Sequence, residues 1–297
     1  MNTKKIIVIL GPTASGKSSL AIELARKYDG EIISADSRQV YKGLDIGTGK
    51  VTKREMRGIP HHLLDVENPQ HTFSVAQYKN LAQLAIEKIK AKGKLPIIVG
   101  GTGFYIEAVV DNILLPEAPP NDILRRKLLK KSLIELQKIL KKLDRRRYKT
   151  IDLKNPRRII RAIEIATHLG HVPVIKKKKR NKNFLQIGIN TPDGVLRKKI
   201  TKRLIARIKG GMIEEAMKLH KNGLSWRRME ELGLEYRYLS YYLQDKMTKN
   251  EMVKKLDTEI WHYAQRQKTW FRRDRRIKWF GLEERRRIRE EVRKFLL

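Results

Sequence analysis

The chain contains no cysteine, which excludes disulfides, thiolate metal sites and thiol nucleophiles together. No apolar run approaches the ~20 residues that cross a bilayer. Met1-Asn2-Thr3-Lys4-Lys5 leads straight into Ile6 rather than into a cleavable apolar signal, so a cytoplasmic protein without membrane contact is expected. Acidic residues are scarce: 32 Asp and Glu stand against 67 Lys and Arg, a formal charge of +35 over 297 residues. An excess of that size repels itself in a compact state unless a polyanion relieves it, and nucleic acid is the expected partner. Basic helices that are merely solvated are the alternative. His61 and His62 are adjacent, and neighbours in an extended segment point apart, so they make no metal pair.

What the sequence does contain begins with Gly11-Pro12-Thr13-Ala14-Ser15-Gly16-Lys17-Ser18. This phosphate-binding loop lies between an apolar run, Ile6 to Leu10, and an amphipathic pattern starting near Lys17. Gly11 and Gly16 let the backbone curl so that successive N–H groups face one anion, Lys17 adds a point charge, and Ser18 is a ligand for Mg²⁺. Further buried-type runs occur at Glu31 to Ser34, Leu95 to Val99 and Phe184 to Ile189, with Ile277 to Phe280 as a short final strand. Helical patterns such as Ser74 to Lys92 separate them, with Ser74 as N-cap. The fold class expected is α/β: a parallel-sheet core of the P-loop NTPase type, flanked by helices.

Prolines 116, 119 and 120 mark a break, after which Lys- and Arg-rich helical patterns run without a strand. Residues 1–115 and 184–297 are therefore expected to form the core and 116–183 a helical insertion, closed by the basic run Lys176 to Arg180, read as a solvated connector.

In open α/β sheets ligands sit beyond the carboxyl ends of the strands. Asp36, in Asp36-Ser37-Arg38-Gln39, follows the second run and is a helix-capping carboxylate, a general base near the phosphates or, through water, an outer ligand for Mg²⁺. Thr102, after Gly100 and Gly101, offers a hydroxyl at the same edge. The third run ends in Gly-Gly-Thr, where a kinase or ATPase usually places an acidic Mg²⁺ ligand. The phosphate is thus expected to be held as a leaving group rather than as a phosphoryl donor.

Read together, GPTASGKS (11–18), ISADSRQVYKGLDIGT (33–48), IPHHLLD (59–65), FSVAQY (73–78), IVGGTGFY (98–105), NPRRIIRAIEI (155–165), GLEYRY (233–238) and RQKTWFRR (266–273) resemble the tRNA dimethylallyltransferase family of bacterial type. The resemblance implies transfer of a dimethylallyl group from its diphosphate to N6 of the adenosine 3′ of the anticodon, position 37, in tRNAs reading codons that begin with U. It implies that Lys17 and the loop amides hold the diphosphate and that Ser18 places Mg²⁺. Asp36 would act on the adenine amine, with Thr102 at the same centre. The tRNA anticodon stem-loop would meet Asp36, Ser37, Arg38, Gln39, Thr102, Arg125, Arg157, Arg158, Ile159, Ile160, Arg161, Leu232, Gly233, Leu234, Glu235, Tyr236 and Arg237. The insertion would grip the RNA, and a monomer is expected. Competing readings are a cytokinin-type prenyltransferase, a small-molecule kinase and an RNA-binding module without catalysis.

Overall fold

A computed structural model describes residues 5–174 and 182–297, so the basic run at 176–180 lies outside the described residues. Six strands form one all-parallel sheet among the described residues: β1 (Ile6–Leu10), β2 (Gly30–Ala35), β3 (His61–His62), β4 (Leu95–Gly100), β5 (Phe184–Asn190) and β6 (Lys278–Gly281), in the order β3-β2-β4-β1-β5-β6. The two-residue edge strand β3 is the element that the apolar pattern does not announce; it pairs Ile32 with His61 and Ile33 with His62.

Every residue of β1, β2 and β4 is buried, because both faces of the sheet are covered. Ile6, Val8 and Leu10 pack with Ile33 and Ile98 under helices Val75–Ala91 and Gly103–Val110. The alternate residues Ile7 and Ile9 pack with Ile32, Ile97 and Ile187 against helix Lys17–Lys27 and the terminal helix Arg285–Leu296. Ser74 caps helix Val75–Ala91 in a reciprocal box with Gln77. Beyond β5, helices Asp193–Lys209, Met212–Lys221, Trp226–Leu232, Leu234–Leu243 and Lys249–Phe271 share a third core with Val40, Tyr41 and Leu44.

Two compact units emerge, Met1–Asp111 with Lys179–Leu297, and Asn112–Lys178. The second is helical, built from Asp122–Leu129, Leu133–Leu143, Arg145–Thr150 and Pro156–Leu169, with its own core around Leu136, Leu140, Ile159 and Ile163.

The end of β4 shows why glycine stands where an acidic residue might have been. A Cβ on Gly100 would lie 2.1 Å from the Ala35 carbonyl oxygen of β2, so no side chain of any kind fits. Gly100→Ala is expected to cost about 3 kcal/mol or more, since the clash is with backbone. Gly194→Ala, where an added Cβ meets nothing within 4 Å, should be neutral or slightly stabilising. Urea unfolding of the two variants beside the parent protein measures the contrast.

Candidate active site

The phosphate loop is held open by its backbone. Gly11 has φ 148° and a Cβ there would sit 2.9 Å from the Ile189 carbonyl oxygen, while Ala14 (φ 61°) and Gly16 (φ 90°) take left-handed conformations that turn the chain into helix Lys17–Lys27. That helix begins without a side-chain cap and without an acidic residue in its first turn, whereas helices starting after Thr52, Ser74, Ser132 and Thr248 all carry capping boxes. Amide N–H groups at such a start are suited to an anion. The Ser15 hydroxyl is buried with no hydrogen-bond partner in the structure. Lys17 bends back to donate to the Pro12 carbonyl (2.8 Å). Burial, reinforced by the nearby Arg203 guanidinium and opposed by Asp36, pulls its pKa down to about 8.

The turn after β2 lines the same cavity. The Asp36 carboxylate accepts the Arg38 N–H (2.8 Å) and the Gln39 N–H (3.3 Å), both on Oδ1. One oxygen thus closes the turn, and among the described residues no bond falls on Oδ2. Asp36 is both a local cap and a cavity wall. Thr102 acts one step back: its hydroxyl accepts the Ser37 N–H (3.0 Å), and its own N–H donates to the Ala35 carbonyl (3.1 Å). Tyr263 lines the cavity, and burial raises its phenol above the ordinary value, so it stays neutral.

The remaining walls come from elements whose role the sequence did not announce. Arg203 and Arg207, one turn apart on helix Asp193–Lys209, line the cavity and bind the loop over it. Arg203 donates to Gly49 O (3.0 Å); Arg207 donates to Gly47 O (3.1 Å) and Thr48 O (3.2 Å) and pairs with Glu235 (3.4 Å). Burial first, then Arg207, brings Arg203 down to about 10. The Arg207 Nε has no partner in the structure. Burial raises the Glu235 carboxyl against the pull of Arg207. Seven Lys and Arg share this helix, so only the fold reveals which two turn inward. His61 also lines the cavity; its Nδ1 faces the Ile59 carbonyl (2.8 Å), which only accepts, so Nδ1 carries a proton. Burial lowers its pKa and favours the neutral ring.

Of the residues singled out in the sequence, Thr13, Lys17, Ser18, Asp36, Ser37, Arg38, Gln39, Leu234 and Glu235 line this one cavity. Leu232 and Tyr236 are buried, 0% and 1% exposed; the Tyr236 hydroxyl donates to Glu215 (2.7 Å). Both hold the wall instead of presenting a surface to RNA, a change from the role expected for them. Gly233 (φ 76°) and Leu234 (φ 36°) make the bend between two helices, and Arg237 donates to Glu230 O (3.2 Å). In the insertion unit, Ile159 and Ile160 are 0% and 4% exposed and likewise belong to the core, because the apolar face of their helix is what binds the unit together. Arg157 and Arg158 are exposed, Arg125 pairs with buried Glu164 (2.9 Å), and Arg161 donates to Ala118 O (2.8 Å).

No group of three His, Cys, Asp or Glu side chains converges as a metal site among the described residues. The cavity offers a hydroxyl (Ser18) and a carboxylate (Asp36) beside a phosphate cradle. This donor set suits Mg²⁺, which keeps several waters and takes the rest of its shell from substrate phosphates.

A family model described as IPP transferase matches residues 39–274. The chain is 44% identical over 274 residues to tRNA dimethylallyltransferase 1 of Syntrophus aciditrophicus, covering 91% of this chain and 90% of that one. It is 46% identical over 272 residues to tRNA dimethylallyltransferase 2 of Treponema denticola, covering 90% and 91%. Among solved structures, the full-length tRNA isopentenylpyrophosphate transferase of Bacillus halodurans superposes with a TM-score of 0.75 at 34% identity, over 99% of this chain and 97% of that one. A eukaryotic dimethylallyltransferase acting on tRNA shares the fold, with a TM-score of 0.73 at 24% identity, over 90% and 69%.

The Lys17 environment predicts a proton-linked anion site. A bound diphosphate favours the charged amine, so binding should take up protons between about pH 7 and 9. Affinity should therefore weaken as the pH rises through about 8. Calorimetry of an organic diphosphate in buffers of different ionisation enthalpy measures the uptake, which Lys17→Met should abolish.

Proposed function

Because this chain belongs to the IPP transferase family, we propose that it moves a dimethylallyl group from dimethylallyl diphosphate to N6 of the adenosine immediately 3′ of the anticodon, in tRNAs reading codons that begin with U. The observation that carries the chemistry is the juxtaposition in one cavity of a phosphate loop with its lysine and a carboxylate with one uncommitted oxygen. The adenine amine attacks the allylic C1 as the C–O bond to the diphosphate breaks. The amine loses one proton to Asp36 Oδ2, and diphosphate departs. Lys17 and the uncapped amides of helix Lys17–Lys27 stabilise the charge that grows on the leaving group, together with Arg203, which lines the same cavity. Ser18 and the diphosphate oxygens are the donors that would hold Mg²⁺, whose contribution there is charge neutralisation.

The target nitrogen is inaccessible in a stacked base, so the adenine must be extruded, at a cost of a few kcal/mol that is least in a single-stranded loop. Ser37, Arg38 and Gln39 at the cavity, Gly233, Leu234, Glu235 and Arg237 at and after the helix bend, and Arg125, Arg157, Arg158 and Arg161 of the insertion are the RNA contacts of this reading. The formal charge of +35 supports a polyanionic substrate. The reading carries with it a monomer working in the cytoplasm; among the described residues no helix is long and apolar enough to cross a membrane.

Two measurements test it. Incubation with Mg²⁺, dimethylallyl diphosphate and an unmodified anticodon stem-loop should add the mass of one dimethylallyl group to the RNA. Asp36→Asn should lower turnover roughly 10²- to 10⁴-fold while leaving RNA affinity within a few-fold. Unmodified RNA together with consumption of added ATP would instead support a kinase. Separately, Arg157→Ala/Arg158→Ala should weaken binding of all substrate RNAs alike and shallow the slope of log K against log salt by roughly one to two.

A further inference from the structure

Helix Lys249–Phe271 delivers a side chain to the point where the sheet stops holding its own ends together. The ladder between β1 and β4 has Leu10 opposite Gly100 as its last pair. Past that pair the chains diverge, one into the phosphate loop and the other into the Gly101-Thr102 turn. Gln267, 6% exposed, lies between them: its Oε1 accepts the Thr13 N–H at 2.8 Å, and its Nε2 donates to the Gly101 carbonyl at 2.8 Å. The orientation of the amide is fixed by chemistry, since Thr13 N–H only donates and Gly101 O only accepts. A Cβ on Gly101 would lie 2.2 Å from Nε2, so the glycine is what makes room for this bridge. The next residue, Lys268, anchors the same helix turn by donating to the Thr191 carbonyl (3.1 Å) and pairing with Asp193.

The bridge continues on the far side. Thr102, covalently next to Gly101, accepts the Ser37 N–H at 3.0 Å, and Ser37 adjoins Asp36. One path of hydrogen bonds thus runs from the loop that holds the leaving group, through a single side-chain amide, to the turn that holds the carboxylate.

We infer that Gln267 is a positioning residue for the transfer reaction, setting the separation and alignment of the phosphate loop and the Asp36 turn. The role rests on the proposed function. Gln267 borders the cavity, but both polar atoms of its amide are committed to Thr13 and Gly101, so it acts through geometry: a displacement on the order of 1 Å between reacting groups costs about 10²-fold in rate. Thr13 and Asp36 both belong to the cavity wall, so a change in their spacing affects the bond-making step more than the binding of either substrate alone.

Gln267→Leu keeps the volume and removes both bonds. It should lower kcat about 10- to 100-fold, with KM for dimethylallyl diphosphate and for the stem-loop changed less than about threefold. Gln267→Glu keeps the acceptor for Thr13 but sets a carboxylate oxygen against the Gly101 carbonyl. Its rate relative to wild type should climb as the pH falls, because protonation restores a donor toward Gly101. This recovery is a signature that a general loss of packing does not produce, and it carries the test if the Leu variant fails to fold. An unchanged kcat in Gln267→Leu, a loss confined to KM, or a Glu variant whose rate relative to wild type does not rise with acidity would overturn the role. Wild-type enzyme assayed in parallel separates the readings: absence of transfer by wild type refutes the proposed function and this role together, while normal wild-type transfer with unaffected variants refutes the role alone.

Discussion

Cations converge on one cavity faster than carboxylates do. Lys17, Arg38, Arg203 and Arg207 line it against Asp36 and Glu235. Desolvation disfavours charge in such a place, which is why the Lys17 amine falls to about 8 and the Arg203 guanidinium to about 10. Under the proposed function the diphosphate offsets this imbalance. The start of helix Lys17–Lys27 has no side-chain cap, and the buried Ser15 hydroxyl has no partner among the protein groups.

The walls must be rigid enough to hold like charges together, and the Asp45–Gly49 loop shows how. The Glu215 carboxylate accepts N–H groups of Asp45 (2.9 Å), Ile46 (2.6 Å) and Gly47 (2.9 Å) as well as the Tyr236 hydroxyl. The carbonyls of Gly47, Thr48 and Gly49 face Arg203 and Arg207. Both polar edges of the loop are thus satisfied from outside, and the arginines that face the cavity are fixed by the backbone they bind. Preorganisation of this sort is what lets fixed charges stabilise a leaving group without reorganising as the reaction proceeds.

Much of this was legible in the residues themselves. The apolar runs ended where β1, β2, β4 and β5 end to within a residue or so, because strands buried on both faces leave little room for polar substitution. The loop from Gly11 to Ser18 and the carboxylate at Asp36 could be placed because ligand sites in such sheets follow the strand ends. The edge strand at His61–His62 escaped, being too short to show a period, and so did its consequence that His61 faces the cavity. Ile159, Ile160, Leu232 and Tyr236 were assigned to a surface with their neighbours, although a helix buries every third or fourth residue.

The sequence by itself determined the layered parallel sheet, the phosphate cradle and the basic character of the whole, since each depends on local pattern or composition. The tertiary structure decided which of seven cations on helix Asp193–Lys209 turn toward the cavity, and that Gln267, more than 250 positions along the chain from Thr13, binds the phosphate loop. Those outcomes follow from long-range packing, in which the direction of a side chain is set by what its helix lies against. A residue type repeated along a helix carries no mark of which copy faces inward until the partner surface is in place.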